Sequence, residues 1–116
     1  MKPLAITSRE DGLGVREIEI SGEVDLAVAD QMQAALDDAI DDGVELLVVL
    51  RECEFIDSTG IALLVRARQK LADRNGRLLL CEPVGQVREV LTISGLLEPS
   101  FVVDSLEEAR SSSNPR

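Results

Sequence analysis

The chain has 116 residues, of which 45% are hydrophobic and only two are aromatic, and its net charge is −10. This length fits one domain with a substantial core, and no run approaches the roughly 18 apolar residues that cross a bilayer, so we expect a cytoplasmic protein with no membrane partner. The acidic balance argues against nucleic acid as a partner, because phosphate contacts draw their affinity from clustered cations.

The first half of the chain alternates between strand and helix patterns. Residues 4–7 and 15–20 are typical of strands, and the turn-forming residues 11–14 between them predict a hairpin. Over residues 26–43 the apolar side chains recur three or four apart and the segment ends on a glycine, which predicts an amphipathic helix. The nearly continuous apolar run 44–50 predicts a central strand that is covered on both faces.

The second half continues this alternation. Its predicted elements are a helix from Ile61 to Asn75-Gly76, a strand at Arg77–Cys81, a helix from Pro83 to Gly95, a strand at Ser100–Val103 and a short helix that opens on the capping box Ser105–Glu108. The order of strands and helices therefore predicts an α/β sandwich with a mixed sheet.

The tetrapeptide Asp57-Ser58-Thr59-Gly60 falls at a predicted helix N-terminus. Unpaired N–H groups and the positive end of the helix dipole would accommodate a phosphate there, so the hydroxyl of Ser58 should be accessible and modifiable. The Asp57 carboxylate could accept a hydrogen bond from that hydroxyl and would repel a phosphate placed on it. Taken alone, the tetrapeptide is better explained by ordinary helix capping.

The segment Gly22-Glu23-Val24-Asp25 has the same two interpretations. In the structural one, Gly22 ends a strand and Asp25 caps the first helix. In the functional one, Glu23 and Asp25 place a second pair of carboxylates at the same end of the sheet as Asp57.

Acidic and basic residues are unevenly distributed along the chain. An acidic group and a basic group fall in successive predicted helices: Asp37, Asp38, Asp41 and Asp42, then Arg66, Arg68, Lys70 and Arg74. We interpret both groups as solvated helix faces rather than as docking surfaces.

The two cysteines, Cys53 and Cys81, are far apart in a chain that contains no histidine. This pattern indicates neither a zinc site nor a disulfide framework. We therefore expect no metal and no cofactor, and we interpret both cysteines as reduced, partly buried thiols.

Three segments taken together are more specific than any one of them. Gly22-Glu23-Val24-Asp25, Phe55-Ile56-Asp57-Ser58-Thr59-Gly60 and Ile93-Ser94-Gly95-Leu96 resemble the STAS domain of bacterial anti-sigma-factor antagonists. The resemblance runs from about Leu4 to Arg110, so we predict one STAS domain over residues 1–110 and a disordered tail over residues 111–116.

The resemblance implies a mixed β-sheet with helices packed on one side, and a serine, here Ser58, that a partner kinase phosphorylates. Unphosphorylated members bind an anti-sigma factor, often itself the serine kinase, and so release the sigma factor. Phosphorylation dissolves the complex and a serine phosphatase restores it. We expect a monomer or weak dimer, and the switch surface that the resemblance implies consists of Glu23, Asp25, Asp57, Ser58, Thr59 and Gly60.

The chain departs from the family pattern at three places. Val49 stands where members usually carry an aspartate before the switch loop. The following loop is commonly small and neutral, whereas residues 51–54 here are Arg-Glu-Cys-Glu, and we expect these charges to border the switch site and to select a different partner. Ala62 replaces a frequent second glycine and keeps that position small.

Two other classes of function compete with the switch. Catalysis by Ser58 is disfavoured because the chain has no histidine base, and because Asp57-Ser58-Thr59-Gly60 lacks the lysine and glycine spacing of a P-loop, so we predict no enzyme activity. The second alternative is a STAS module that does not switch, either a scaffold subunit or an accessory of a membrane transporter. The serine at position 58 favours the switch.

Overall fold

The computed structural model describes residues 2–10, 14–42, 45–96, 101–105 and 107–109. Six strands lie within them: β1 (Ala5–Glu10), β2 (Val15–Val24), β3 (Glu45–Val49), β4 (Cys53–Ile56), β5 (Arg77–Cys81) and β6 (Val102–Val103). The longer helices are α1 (Ala29–Asp42), α2 (Ser58–Ala72) and α3 (Gly85–Ile93), and a 3₁₀ turn at Leu26–Val28 precedes α1. None of these helices is both long and apolar enough to cross a membrane.

The strands form one mixed sheet in the order β1-β2-β3-β5-β6, and β4 pairs with the carboxyl-terminal part of β2. β1 and β2 are antiparallel, whereas the other neighbours are parallel. This confirms the α/β fold with a mixed sheet and the N-terminal hairpin, although the predicted turn residues 11–13 lie outside the described residues. β4 was not predicted, because four residues with no alternation give little signal.

The main core lies between one face of the sheet and all three longer helices. Leu46 and Val48 of β3 belong to the same buried cluster as side chains from each helix. The helical members of this cluster are Met32, Leu36, Ala39 and Ile40 from α1, Leu64, Ala67 and Leu71 from α2, and Val87 and Leu91 from α3. These residues recur three or four apart, as an amphipathic helix requires, and the prediction of helices on one side of the sheet is confirmed for the three longer helices.

The opposite face of the sheet carries a smaller buried cluster. Leu47 and Val49 alternate with the core residues of β3 and pack there with Leu79, Cys81 and Ala109. β3 is thus buried on both faces, as its continuous apolar run predicted. Val49, where family members usually carry an aspartate, is part of this cluster.

The chain returns to that second face through a short helical segment at residues 107–109. The Ser105 hydroxyl accepts a hydrogen bond from the N–H of Glu108 at 2.9 Å, which is the first half of the predicted capping box. Besides the turn residues 11–13, the predicted features that lie outside the described residues are Gly43, Val44, Ser100, Leu106 and the tail at 111–116.

The prediction that Gly22 ends a strand is wrong. β2 continues to Val24, and its register shifts between Gly22 and Glu23 as its partner changes from β3 to β4. Gly22 has φ +91°, and an added Cβ would lie 2.1 Å from the carbonyl oxygen of Pro3. Glycine is required here because the backbone of the N-terminal segment lies in close contact with β2 at this residue.

The acidic and basic groups lie on solvated helix faces, as predicted, but the two faces also pair with each other across α1 and α2. Lys70 Nζ lies 3.0 Å from Asp37 Oδ1, and Arg74 bridges Asp41 at 3.5 Å and the carbonyl of Ile40 at 2.7 Å. The remaining contacts are Arg66 with Asp37, Asp38 with Arg16, and Arg68 over the buried ring of Phe101, while the Asp42 side chain lies outside the described residues. The sequence shows two charged helices but not that they are neighbours.

Cys53 and Cys81 form no disulfide and lie on opposite faces of the sheet. Both are almost wholly buried, more deeply than predicted. Burial raises the pKa of Cys53 to about 11, and its contact with the carbonyl of Phe55 opposes this shift only in part.

Candidate functional site

The two segments singled out in the sequence meet at the carboxyl ends of β2 and β4. Val24 and Ile56 are register partners, and so are Glu23 and Phe55. The N–H of Asp57 then donates to the carbonyl of Val24 at 3.1 Å. The fold therefore brings Gly22–Asp25 and Asp57–Gly60 together at one end of the sheet, as expected.

Asp57 is the N-cap of α2. Its backbone is extended, with φ −104° and ψ −175°, and its Oδ1 accepts the N–H of Gly60 at 3.1 Å. This bond satisfies one of the N–H groups that a helix leaves unpaired in its first turn. The expected capping role is confirmed, and the described bond of this carboxylate is to Gly60 rather than to the hydroxyl of Ser58.

Ser58 is the first residue of α2, and its side chain is exposed. Thr59 is half-buried and Gly60 is buried. The hydroxyl of Ser58 is therefore the more accessible of the two adjacent hydroxyls, and it lies at the positive end of the helix dipole.

Gly60 fixes how closely α2 approaches the sheet. A Cβ at this position would lie 2.6 Å from Cγ1 of Ile56 and 2.7 Å from Cγ1 of Val24. Distances below 3.0 Å leave no room for a side chain unless the helix moves. The first turn of α2 thus rests directly on the ends of β2 and β4, with Ser58 above that contact.

Asp25 performs the same capping function on the neighbouring segment. Its Oδ1 accepts the N–H of Ala27 at 3.0 Å, at the start of the 3₁₀ turn that leads into α1. Glu23, Asp25 and Asp57 are all half-buried, and Leu26 directly after Asp25 is 73% exposed. The end of the sheet thus presents three carboxylates, an exposed serine and an exposed leucine.

The charged residues 51–54 are tied to the protein rather than forming a free loop at the site. Arg51 lies 2.9 Å from Glu82 and 3.5 Å from Glu19, and the bond to Glu82 raises the pKa of Arg51. Cys53 and Glu54 belong to β4, where Glu54 pairs with Lys2 at 3.1 Å. The sequence interpretation treated these residues as one loop because it missed β4.

Gln86, in the first turn of α3, was not identified from the sequence. Its Oε1 accepts the N–H of Ile56 at 3.0 Å, and its Nε2 donates to the carbonyl of the same residue at 3.0 Å. Ile56 immediately precedes the cap residue Asp57. A glutamine 30 residues away in the chain gives no local signal of such a contact.

The STAS domain family model matches residues 9–109, which is most of the chain. The chain belongs to the STAS domain family. A curated relative is BtrV, a candidate anti-sigma factor antagonist of Bordetella bronchiseptica, which is 35% identical over 91 residues, covering 78% of each chain.

The fold is similar to solved structures of an anti-sigma factor antagonist and of a transporter-family protein. The anti-sigma factor antagonist SpoIIAA, in its unphosphorylated form, superimposes with a TM-score of 0.78 at 26% identity, over 97% of this chain and 100% of that one. SpoIIAA of Bacillus in its phosphorylated form superimposes with a TM-score of 0.75 at 25% identity, over 95% of this chain and 100% of that one. A sulfate transporter family protein of Wolinella succinogenes superimposes with a TM-score of 0.73 at 26% identity, over 87% of this chain and 85% of that one.

Proposed function

We propose that this STAS domain is an anti-sigma-factor antagonist whose partner binding is switched by phosphorylation of Ser58. The observation that carries the proposal is the position of this serine, which is exposed at the first residue of α2. The similarity to BtrV and to SpoIIAA, a protein whose structure is known in phosphorylated and unphosphorylated forms, supports the same role.

The unphosphorylated surface around Ser58 would be the face that binds the anti-sigma factor. Leu26 offers exposed apolar area beside the site, and burial of such area favours association. Glu23 and Asp25 lie on the segment that pairs with β4, so a partner that covers Ser58 would also meet these carboxylates. We infer that the partner presents apolar and basic groups to this end of the sheet.

Phosphorylation would change the charge of this surface and leave the fold of the domain unchanged. The anti-sigma factor, as a serine kinase, would transfer the γ-phosphoryl group of ATP to the oxygen of Ser58, with ADP as the leaving group and the hydroxyl proton released. The phosphate would lie at a helix N-terminus, which tolerates negative charge, but beside Asp57, which repels it at a closed interface. A serine phosphatase would then hydrolyse the ester and restore binding.

Ser58 is a better acceptor than Thr59 for a physical reason. Thr59 lies between Ser58 and Gly60, and Gly60 is pressed against the sheet, so the Thr59 side chain is half-buried. A kinase must bring the γ-phosphate into line with the hydroxyl oxygen, which requires open space on that side.

We place the protein in the cytoplasm, where its kinase, phosphatase and sigma factor would act, as a monomer or weak dimer. It would act by binding and not as an enzyme, because a nucleophilic serine needs a base and the chain has no histidine. The STAS domain would span residues 1–110.

A STAS module that does not switch is the second candidate. The similarity to the Wolinella succinogenes protein at 26% identity favours it, because a transporter-family protein carries the same fold over most of this chain. In this case Ser58 would serve only as the first residue of α2. A transporter component, and not a serine kinase, would be the partner.

The deciding experiment is recovery of the tagged protein from its native cytoplasm, with mass spectrometry of both the partners and the Ser58 peptide. We expect a serine kinase of the anti-sigma type, and phosphate on Ser58 after incubation with that kinase and ATP. Ser58→Ala should remove the phosphate, whereas the matched control Thr59→Ala should keep it. Phosphate on Thr59 alone, or recovery of a transporter component with unmodified Ser58, would contradict the proposal.

A further inference from the structure

We propose that Gln86 is a positioning residue for Ser58, because its amide clamps the backbone of β4 immediately before the switch segment. The functional part of this inference rests on the proposed role of Ser58. The physical part rests on two hydrogen bonds between one side chain and one residue, each 3.0 Å long. Both lengths are ideal for N–H···O bonds.

The clamp is needed because β4 has only one strand partner among the described residues, which is β2. Alternate residues of a strand direct their backbone N–H and C=O groups toward opposite edges. Since the N–H of Asp57 points to Val24 on β2, both polar groups of Ile56 point to the edge that no strand covers. The amide of Gln86 carries one acceptor and one donor in the same arrangement as a peptide group, so it replaces one residue of a missing strand.

Burial makes these two bonds important. Ile56 has no exposed surface, so its N–H and C=O have little access to water if Gln86 is removed. A buried polar group without a partner is costly, and two such groups would favour local opening of β4. Opening at Ile56 would release Asp57, the next residue, from its bonds to Val24 and Gly60. Ser58 lies between the two ends of this capping interaction and would lose its fixed position.

The turn that precedes Gln86 is itself held in place. Glu82 and Gly85 have φ of +58° and +56°, a region that is unfavourable for a side chain such as that of glutamate. Glu82 is fixed by Arg51 at 2.9 Å and by the bond of its N–H to Val103 at 2.9 Å. Arg51 thus supports the switch site indirectly, because it holds the turn that positions Gln86 against Ile56.

The physical test compares amide hydrogen exchange, measured by NMR on the isolated protein, in wild type, Gln86→Met and Gln86→Glu. Methionine keeps the length of the side chain but loses both bonds, whereas glutamate keeps an acceptor for the N–H of Ile56 and loses the donor. We expect Gln86→Met to accelerate amide exchange at Ile56 and Gly60 by roughly tenfold or more, relative to any acceleration of exchange at the α1 amides. Gln86→Glu should leave the amide of Ile56 more protected than Gln86→Met does.

The matched control is Gln69→Met, which removes the exposed bond from Gln69 Nε2 to Asp73 on α2. It should not alter exchange at Ile56 or Gly60. If Gln86→Met accelerates exchange at Ile56 and Gly60 no more than it accelerates exchange at the α1 amides, the clamp is overturned. The comparison with α1 separates local opening from a general loss of stability.

The functional test uses the full-length protein with the kinase recovered from the native cytoplasm and ATP. Gln86→Met should lower kcat for phosphorylation of Ser58 by more than it raises KM for the protein substrate, because the hydroxyl is misplaced while most of the docking surface remains. Equal kcat in wild type and Gln86→Met would overturn the positioning role. Absence of phosphorylation in wild type would instead refute the proposed function, and the exchange data would still decide the clamp.

Discussion

Phosphorylation of Ser58 should abolish partner binding and leave the fold intact. In the free protein the phosphate adds about −1.5 to −2 charges at the first residue of α2, where the helix dipole stabilises a negative group by about 0.3–1 kcal/mol. Repulsion from Asp57 acts through water, where two unit charges about 4 Å apart interact by about 1 kcal/mol. For a phosphate of about −1.5 to −2 charges this repulsion is about 1.5–2 kcal/mol and exceeds the stabilisation by the helix dipole, so the free energy of unfolding should fall by only about 0.5–2 kcal/mol.

The same charges have a different effect inside an interface. When a partner excludes water, the effective dielectric constant falls to about 20 and the same pair repels by about 4 kcal/mol. A further cost arises because the phosphate loses its hydration without gaining a basic partner. A loss of about 4 kcal/mol is nearly a thousandfold in affinity, because each 1.4 kcal/mol corresponds to about a factor of ten.

Calorimetric titration of the partner and urea unfolding would be measured for wild type, the phosphoprotein, Ser58→Ala and Ser58→Asp. We expect Ser58→Ala to bind as tightly as unmodified wild type. Ser58→Asp should bind weakly but more tightly than the phosphoprotein, because it adds one negative charge where the phosphate adds more. The control is Ser8→Asp, which adds the same charge on β1, where the Ser8 hydroxyl contacts Arg16 at 2.7 Å. Equal affinities across the series, or a phosphoprotein that has unfolded, would refute the reasoning.

Two further predictions concern stability. Gly22→Ala should lower the free energy of unfolding by about 2–4 kcal/mol, because φ is +91° and the new Cβ would meet the backbone of Pro3. The control Gly85→Ala, with no atom within 4 Å of its Cβ, should lower it by only about 1–2 kcal/mol. Equal losses of the two variants in urea unfolding would contradict the close contact at Gly22. Since the pKa of Cys53 rises from 9.0 to about 11 on folding, the unfolded chain loses its thiol proton first, and stability should fall by up to about 2–3 kcal/mol as pH rises from 9 to 11. The difference in unfolding free energy between wild type and Cys53→Ala, followed from pH 7 to 11, isolates this effect, and a difference that does not vary with pH would disprove it.

Local patterns predicted those elements whose burial follows a simple period. The run 44–50 and the helical spacing of α1 identified β3 and α1, because each buries a regular set of side chains on the sheet. β4 was missed because its four residues are buried only at the two ends, Cys53 and Ile56, so neither an alternating nor a continuous pattern appears. The extension of β2 to Val24 was missed because Gly22 suggested a strand end, whereas the alternating burial of β2 continues through Gly22 to Val24, where the strand pairs with β4.

Interactions between distant residues could not be predicted from such patterns. The charged groups of α1 and α2 were each identified, but their mutual pairing depends on the two helices being neighbours. The contact of Gln86 with Ile56 likewise depends on where α3 begins relative to the edge of β4 that faces away from β2. The residues of the candidate site were identified by their helix-capping types and by the resemblance of their segments to STAS domains, whereas Gln86, which supports them, belongs to another part of the chain.

The structural and functional interpretations of Asp57-Ser58-Thr59-Gly60 do not exclude each other. Asp57 caps α2, and this cap makes Ser58 the first residue of the helix, where its side chain is exposed. Gly60 packs against Val24 and Ile56, and this close packing sets the helix end firmly on the sheet. A phosphate on Ser58 would therefore be added to a rigid surface whose shape hardly changes. The change that a partner detects would be electrostatic, which explains how one modification could prevent binding while the domain stays folded.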